Sequence, residues 1–217
     1  MIRTVKVFFE IEKKDRLIFY LLCSMIGNFL IAVCKFVLAL SIPSFWFFVN
    51  SGFSFALGMC RLLTVKSYTK IRMLKDEEKR IKEEYKNYSL NGIMLIFLGI
   101  MYFFVSSYMY YKGTSTNMHE YITYLVALIA FYGVVNSIYG MIKYKRNEEP
   151  VIKGIKITKF ASALTSIVLT QVVLLDTYAT NYNSSINGYT GMVVSVIIMV
   201  LGLHMILSAK KDNKVKN

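Results

Sequence analysis

Proline, cysteine and negative charge are all scarce in this chain. Two prolines (Pro43, Pro150) and twelve glycines in 217 residues leave too few turn formers for an all-β architecture of many short strands. The three cysteines, Cys23, Cys34 and Cys60, stand inside apolar runs without CxxC spacing. That excludes a disulfide scaffold or a zinc framework and makes them packing residues. The two histidines, His119 and His204, have no ligand spacing and read as surface or packing residues. Charged residues are 18% of the chain against 55% hydrophobic, with a mean hydropathy of +0.47. Soluble domains average about a quarter charged, so a soluble enzyme and a disordered chain are both excluded. There is no phosphate loop, GxSxG, HExxH or pair of carboxylates within the apolar runs. Without a nucleophile and base or a metal-ligand set, no enzyme activity and no cofactor are expected.

What is present is long apolar blocks. About 20 mainly apolar residues cross a bilayer as a helix. Six runs qualify: 17–40, 45–65, 90–111, 121–142, 157–179 and 189–207. They are continuous rather than alternating, which favours helices over a β-barrel. The first is too long for a signal peptide and lacks a cleavage site. The expected fold class is all-α, a polytopic membrane protein with six transmembrane helices in a bundle. Residues 1–16 form an N-terminal segment, 17–207 the transmembrane domain and 208–217 a tail too short and polar to fold. The Lys/Glu-rich stretch 66–89, with Glu78 and Lys82 four residues apart, predicts a helical extension of the second span.

The net charge of +13 invites a nucleic-acid reading that the positions refute. Five Lys/Arg lie in 1–16, eight in 66–89, six in 143–159 and four after Leu207, whereas the alternate connections hold Lys112 alone. Twenty-three against one is the positive-inside pattern. Both termini are therefore expected to be cytoplasmic, the membrane to be the cell (inner or plasma) membrane, and the basic connections to face lipid headgroups. The Lys-, Ile- and Asn-rich composition points to a bacterial protein, which weakens the glycosylation acceptor at Asn183. Tyr108, Tyr110, Tyr111, Tyr121, Tyr124, Tyr178, Tyr182 and Tyr189 cluster at the opposite span ends, where aromatic rings favour the headgroup level.

Polar residues inside spans are costly and face the protein interior or a water-filled path. Lys35 is the boldest case. It either snorkels to the outer surface or meets a buried partner or pathway. Asn28, Asn50, Ser51 and Ser54 add polarity to the first two spans, and Asn136 to the fourth. Ser162, Thr165, Ser166, Thr170 and Gln171 do so in the fifth, where Ser162, Ser166 and Thr170 share one face. Interhelical hydrogen bonding and a substrate path both account for that face. Arg61, near the cytoplasmic end of the second span, is expected to snorkel.

Three stretches together resemble the transmembrane domain of the cation diffusion facilitators, the cation-efflux transporters. Asn28 to Lys35 followed by Ser44 is similar to that family's first span and outer turn. Gly133 to Asn136 with its following basic cluster is similar to the end of its fourth span. Ser162 to Ser166 and the run Asn187 to Gly202 are similar to its fifth and sixth spans. The resemblance covers residues 17–207 and implies six helices, alternating access and a homodimer. Small-residue pairs at Ser54 and Gly58, Gly133 and Ser137, and Gly191 and Ser195 do not single out the dimer interface. The resemblance also implies a metal site, with ligands in the second span at the positions of Asn50, Phe53 and Leu57, in the fifth at Thr158 and Ser162, and in the sixth at Asn187. Zinc takes about four Cys, His or carboxylate donors, and metal–proton exchange needs groups that titrate. These residues supply neither, and the family's cytoplasmic domain has no counterpart. The expectation is a diverged transporter with its divalent-metal site lost and its substrate unknown. Its pathway candidates are Lys35, Asn50, Ser54, Thr158, Ser162, Ser166 and Asn187. The alternative is a non-transporting scaffold, partner subunit or immunity-type protein docking through 66–89.

Overall fold

The computed structural model describes residues 26, 29–30, 32–37, 39–40, 45–74, 76–113, 120–143, 149–178 and 185–215. Expectations for residues 1–16, most of the first apolar run, Cys23, Asn28, Ser44, His119, Tyr182 and Asn183 lie outside them, as does the Asn136 side chain. Among the described residues there is no strand. The helical residues 26, 29–30, 32–37 and 39–40 are α1. Then follow α2 (Phe45–Arg72), α3 (Glu77–Lys112), α4 (Glu120–Lys143), α5 (Pro150–Tyr178) and α6 (Ser185–Val215). The last five are long and apolar enough to cross a membrane, which is the architecture of a multi-pass membrane protein. Their outward faces are dominated by side chains such as Phe97, Phe104, Leu128, Phe131 and Val200. An apolar surface of that extent suits lipid rather than water.

Successive helices run in opposite directions. In α1 and α2 the contacts are Phe36 with Phe48, the Ser51 hydroxyl donating to the Ala32 carbonyl, and Phe29 with Phe55. In α4 and α5, Thr123 hydrogen-bonds Thr177 and the Tyr124 and Tyr178 rings lie 5.9 Å apart. The helices therefore place seven exposed tyrosines (Tyr108, Tyr110, Tyr111, Tyr121, Tyr124, Tyr178, Tyr189) at one end, while the exposed Tyr132 and Tyr139 stand farther along α4. The other end gathers the lysines of α2, the start of α3 and the start of α5. Pro150 is the first residue of α5, where its missing N–H costs nothing.

The most extensive packing joins α3 to α6, and small residues at seven-residue spacing make it. Gly92, Gly99 and Ser106 on α3 meet Gly202, Ser195 and Gly188 on α6 in antiparallel order. A Cβ on Gly92 would stand 2.7 Å from the Gly202 carbonyl oxygen, and one on Gly202 would stand 2.6 Å from that of Gly92. One on Gly188 would strike the Tyr110 backbone. Small residues let helix backbones touch, which is how apolar helices associate where no hydrophobic drive exists between them. Residues seven apart are nearly two turns on, so they stay on one face of each helix.

Two expectations about the connections are corrected. The 66–89 stretch is not a single extension of the second span. Helix α2 ends at Arg72 and α3 starts afresh at Glu77, capped by Asp76, whose side chain accepts from the Glu78 and Lys79 backbone N–H groups. Asp at the N-cap satisfies donors that have no partner within the helix, so the acidic cluster starts a helix rather than continuing one. Among the described residues the ion pairs here are Lys79–Asp76, Arg80–Glu77, Arg80–Glu84 and Lys86–Glu83, not Glu78–Lys82. The tail also departs from expectation, because α6 continues through it to Val215. Once a span is helical, each added residue gains a hydrogen bond without a new nucleation cost, and Ala209 is buried.

Candidate functional site

Lys35 of α1 is 7% exposed. It does not reach a surface. Its Nζ donates to Ser54 Oγ of α2 at 3.2 Å and to Ser166 Oγ of α5 at 3.1 Å. Ser166 Oγ in turn donates to its own helix at the Ser162 carbonyl, 3.0 Å away. One ammonium thus ties three helices together through neutral oxygens. Among the described residues no carboxylate lies within ion-pair distance of it. Ser54 is nine residues into α2, about 14 Å along the axis from the tyrosine-rich end, which places the amine deep in the helix assembly.

Three of the pathway candidates, Lys35, Ser54 and Ser166, therefore converge. The others do not join them. Asn50 is buried on the same helix as Ser54 and lies beside the Tyr102 hydroxyl of α3. The Thr158 hydroxyl donates to the Ile155 carbonyl of its own helix at 2.8 Å. Ser162 contributes its carbonyl, which accepts from Thr165 and Ser166. Asn187 is buried in the first turn of α6, beside Gly188 at the α3 crossing. Phe53 and Leu57, at positions where the resemblance implies ligands, are core residues, and Phe53 packs on the Tyr102 ring at 5.2 Å. The back-bonded hydroxyls of Thr165, Ser166, Thr170 and Thr177 along α5 satisfy themselves within the helix. That is a common resolution for Ser and Thr in an apolar setting. Gln171 reaches across to Thr190 of α6 at 2.9 Å.

Arg61 overturns the snorkelling expectation. It is 2% exposed, and Nε and both terminal nitrogens lack any hydrogen-bond partner among the described residues. Lys159 of α5, half-buried, is near enough for the two positive charges to repel. Snorkelling fails because the side chain is buried where α2 packs on α5.

A polar cluster between α2 and α3 was missed by reading the spans one at a time. Thr64 Oγ1 lies 2.8 Å from the Cys60 carbonyl and 2.9 Å from Asn91 Oδ1, and Asn91 Nδ2 donates to the Asn87 carbonyl and Oδ1. The cluster edges a cavity of about 250 Å³ lined by Leu63, Thr64, Ser67, Asn87, Leu90, Asn91 and Met94. The signal available in the sequence was Asn87 and Asn91, four apart at the start of the third apolar run. Among the described residues no three His, Cys, Asp or Glu side chains come together. No protein-family profile matches this chain, and no curated protein matches it either.

Proposed function

We propose that this chain is a diverged membrane transporter in which the Lys35 ammonium supplies the interior charge that a bound divalent cation would otherwise bring. It carries a solute other than a tightly ligated metal. The observation that carries this reading is the burial of Lys35 against two serine hydroxyls with no carboxylate in reach among the described residues. A central lysine costs about 2.5–3.5 kcal/mol on the insertion scale. An apolar side chain would fill the same space without that penalty, so packing alone does not account for it. Two hydroxyl dipoles solvate the charge but do not neutralise it, and an anionic solute would. The resemblance to cation-efflux transporters adds the expectation of alternating access, and the positive-inside pattern makes the lysine-rich end cytoplasmic in a cell membrane.

The test is flux into proteoliposomes, using radiolabelled chloride, phosphate or zinc as separate probes. Wild type is expected to move an anion, Lys35→Met to lose that flux and Ser166→Ala, which removes a hydroxyl that holds the amine, to reduce it, with zinc unmoved. Zinc flux, absence of anion flux above protein-free vesicles, or anion flux unchanged from wild type in both variants would overturn the proposal.

A non-transporting partner subunit is the second reading, favoured by the exposed side chains of Lys79, Lys82 and Lys86 near the start of α3. Charge reversal at Lys79, Arg80 and Lys82 would then release a protein that crosslinks to wild type in native membranes.

A further inference from the structure

Two turns along the same helix faces from the Lys35 cluster lies a second group of cations. Arg61 follows Ser54 by seven residues on α2, and Lys159 precedes Ser166 by seven on the antiparallel α5. Seven residues are nearly two turns, about 10.5 Å, so Ser54 and Arg61 share one face, and Ser166 and Lys159 share the facing one. We propose that Arg61 and Lys159 form a binding site for a phosphate-type oxyanion at the α2–α5 seam.

Among the described residues the charges around the seam have no internal balance. Helix α2 contains no acidic residue, and α5 has only Asp176, near its far end. The acidic groups on neighbouring elements are engaged elsewhere. Glu84 of α3 pairs with Arg80, and Glu149, just ahead of α5, accepts a hydrogen bond from Tyr68. Below the pair, Val65 and Tyr68 pack on Val151 and Ile155, and the Glu149 carboxylate there is held by the Tyr68 hydroxyl. A guanidinium has five donors in a planar fork that matches phosphate bidentately. Burying one with every donor idle, and a second cation beside it, carries the full desolvation cost with nothing returned. An oxyanion supplies both the acceptors and the missing charge. Its source is either the phosphodiester of an anionic lipid entering between α2 and α5 or free phosphate reaching the site from the lysine-rich end. The site stands whether or not Lys35 carries a solute.

The experiment measures binding to the intact protein purified in a neutral maltoside detergent. The probes are inorganic phosphate in one arm and phosphatidylglycerol in the other, each followed by thermal stabilisation and by native mass spectrometry. Saturable binding in either arm is expected. It should weaken about tenfold or more in Arg61→Gln, weaken less in Lys159→Gln and persist in Lys35→Met. Phosphate binding assigns the site to a free solute, and binding of phosphatidylglycerol alone assigns it to lipid. Without either probe, Arg61→Gln is expected to be at least as stable as wild type, because it removes a charge that has no partner among the described residues. No binding in either arm, or equal binding in Arg61→Gln, overturns the site. So does a variant less stable than wild type in probe-free detergent, which would show that Arg61 is a structural residue.

Discussion

A buried cation held only by hydroxyls is a different object from a buried ion pair. Removing one member of a pair strands the other, whereas removing Lys35 strands only Ser54 and Ser166, and Ser166 keeps its bond to the Ser162 carbonyl. Lys35→Met is therefore expected to leave the protein as stable as wild type, or more stable by about 1 kcal/mol, while abolishing flux. Chemical unfolding in micelles checks the first expectation, and marked destabilisation would recast Lys35 as a structural tie between helices. The convergence of Lys35 with Ser54 and Ser166 was legible as polar residues on one face of each helix. The failure of Thr158 and Ser162 to join them was not, because whether a hydroxyl turns inward or bonds its own helix depends on a rotamer that spacing does not determine. Arg61 was misjudged for a related reason. A side chain one or two turns from a membrane surface snorkels only if its flank is open, and which neighbour covers that flank is a tertiary fact.

Along the helices, the seven-residue series Gly92, Gly99, Ser106 and Gly188, Ser195, Gly202 was open to inspection in the sequence. Pairs spaced by four drew attention instead, and of these Gly133 faces open space. The series implies a sharp contrast among glycines. A methyl at Gly188 would lie 2.6 Å from Tyr110 Cα and 2.8 Å from the Ser106 carbonyl oxygen, whereas one at Gly52 meets nothing within 4 Å. Gly188→Ala is expected to destabilise by about 1–3 kcal/mol through forced separation of α3 and α6. Gly52→Ala should be neutral or slightly stabilising, since a mid-helix glycine costs about 0.5–1 kcal/mol relative to alanine. Equal unfolding midpoints for the two variants would refute the close crossing. The start of α3 makes a pH prediction. The Lys79 backbone N–H, the Lys79 ammonium and, to a lesser degree, the Glu78 backbone N–H hold the Asp76 carboxyl below its ordinary range. A depressed folded-state value means the cap's contribution is fully present above the unfolded carboxylate pKa, about 3.9, and is lost as pH falls through the folded value. Protection factors at Glu78 and Lys79, their amide exchange relative to the unstructured chain at the same pH, should fall over that acidic window in wild type. In Asp76→Asn, which keeps an acceptor without the titration, this part of the pH dependence should vanish. An unchanged profile would remove Asp76 as the cap.

For the molecule as a whole, the number of crossings is a question of parity. Helices α2 to α6 alternate in direction, so five crossings starting from α2 begin at the tyrosine-rich end and finish at the lysine-rich end. The described residues of α1 run antiparallel to α2, with Phe36 near Phe48 and Phe29 near Phe55, so the chain approaches the tyrosine-rich end from within the assembly. If the apolar run 17–40 crosses completely, the N-terminus lies on the same side as the C-terminus, with the basic residues of 1–16 beside those of 66–89. If it enters and leaves by the tyrosine-rich side, the termini lie on opposite faces and five positive charges sit on the wrong one. The second arrangement violates the retention of Lys and Arg on the cytoplasmic side. Tags at both ends are therefore expected to be protected from protease in intact cells. A cysteine introduced at Lys112 should react with an impermeant maleimide from outside, and one at Lys79 only after permeabilisation. An N-terminal tag cleaved from outside while the C-terminal tag stays protected would reduce the crossings to five. It would also open the amine of Lys35 to the extracellular side alone, leaving no alternating path past it.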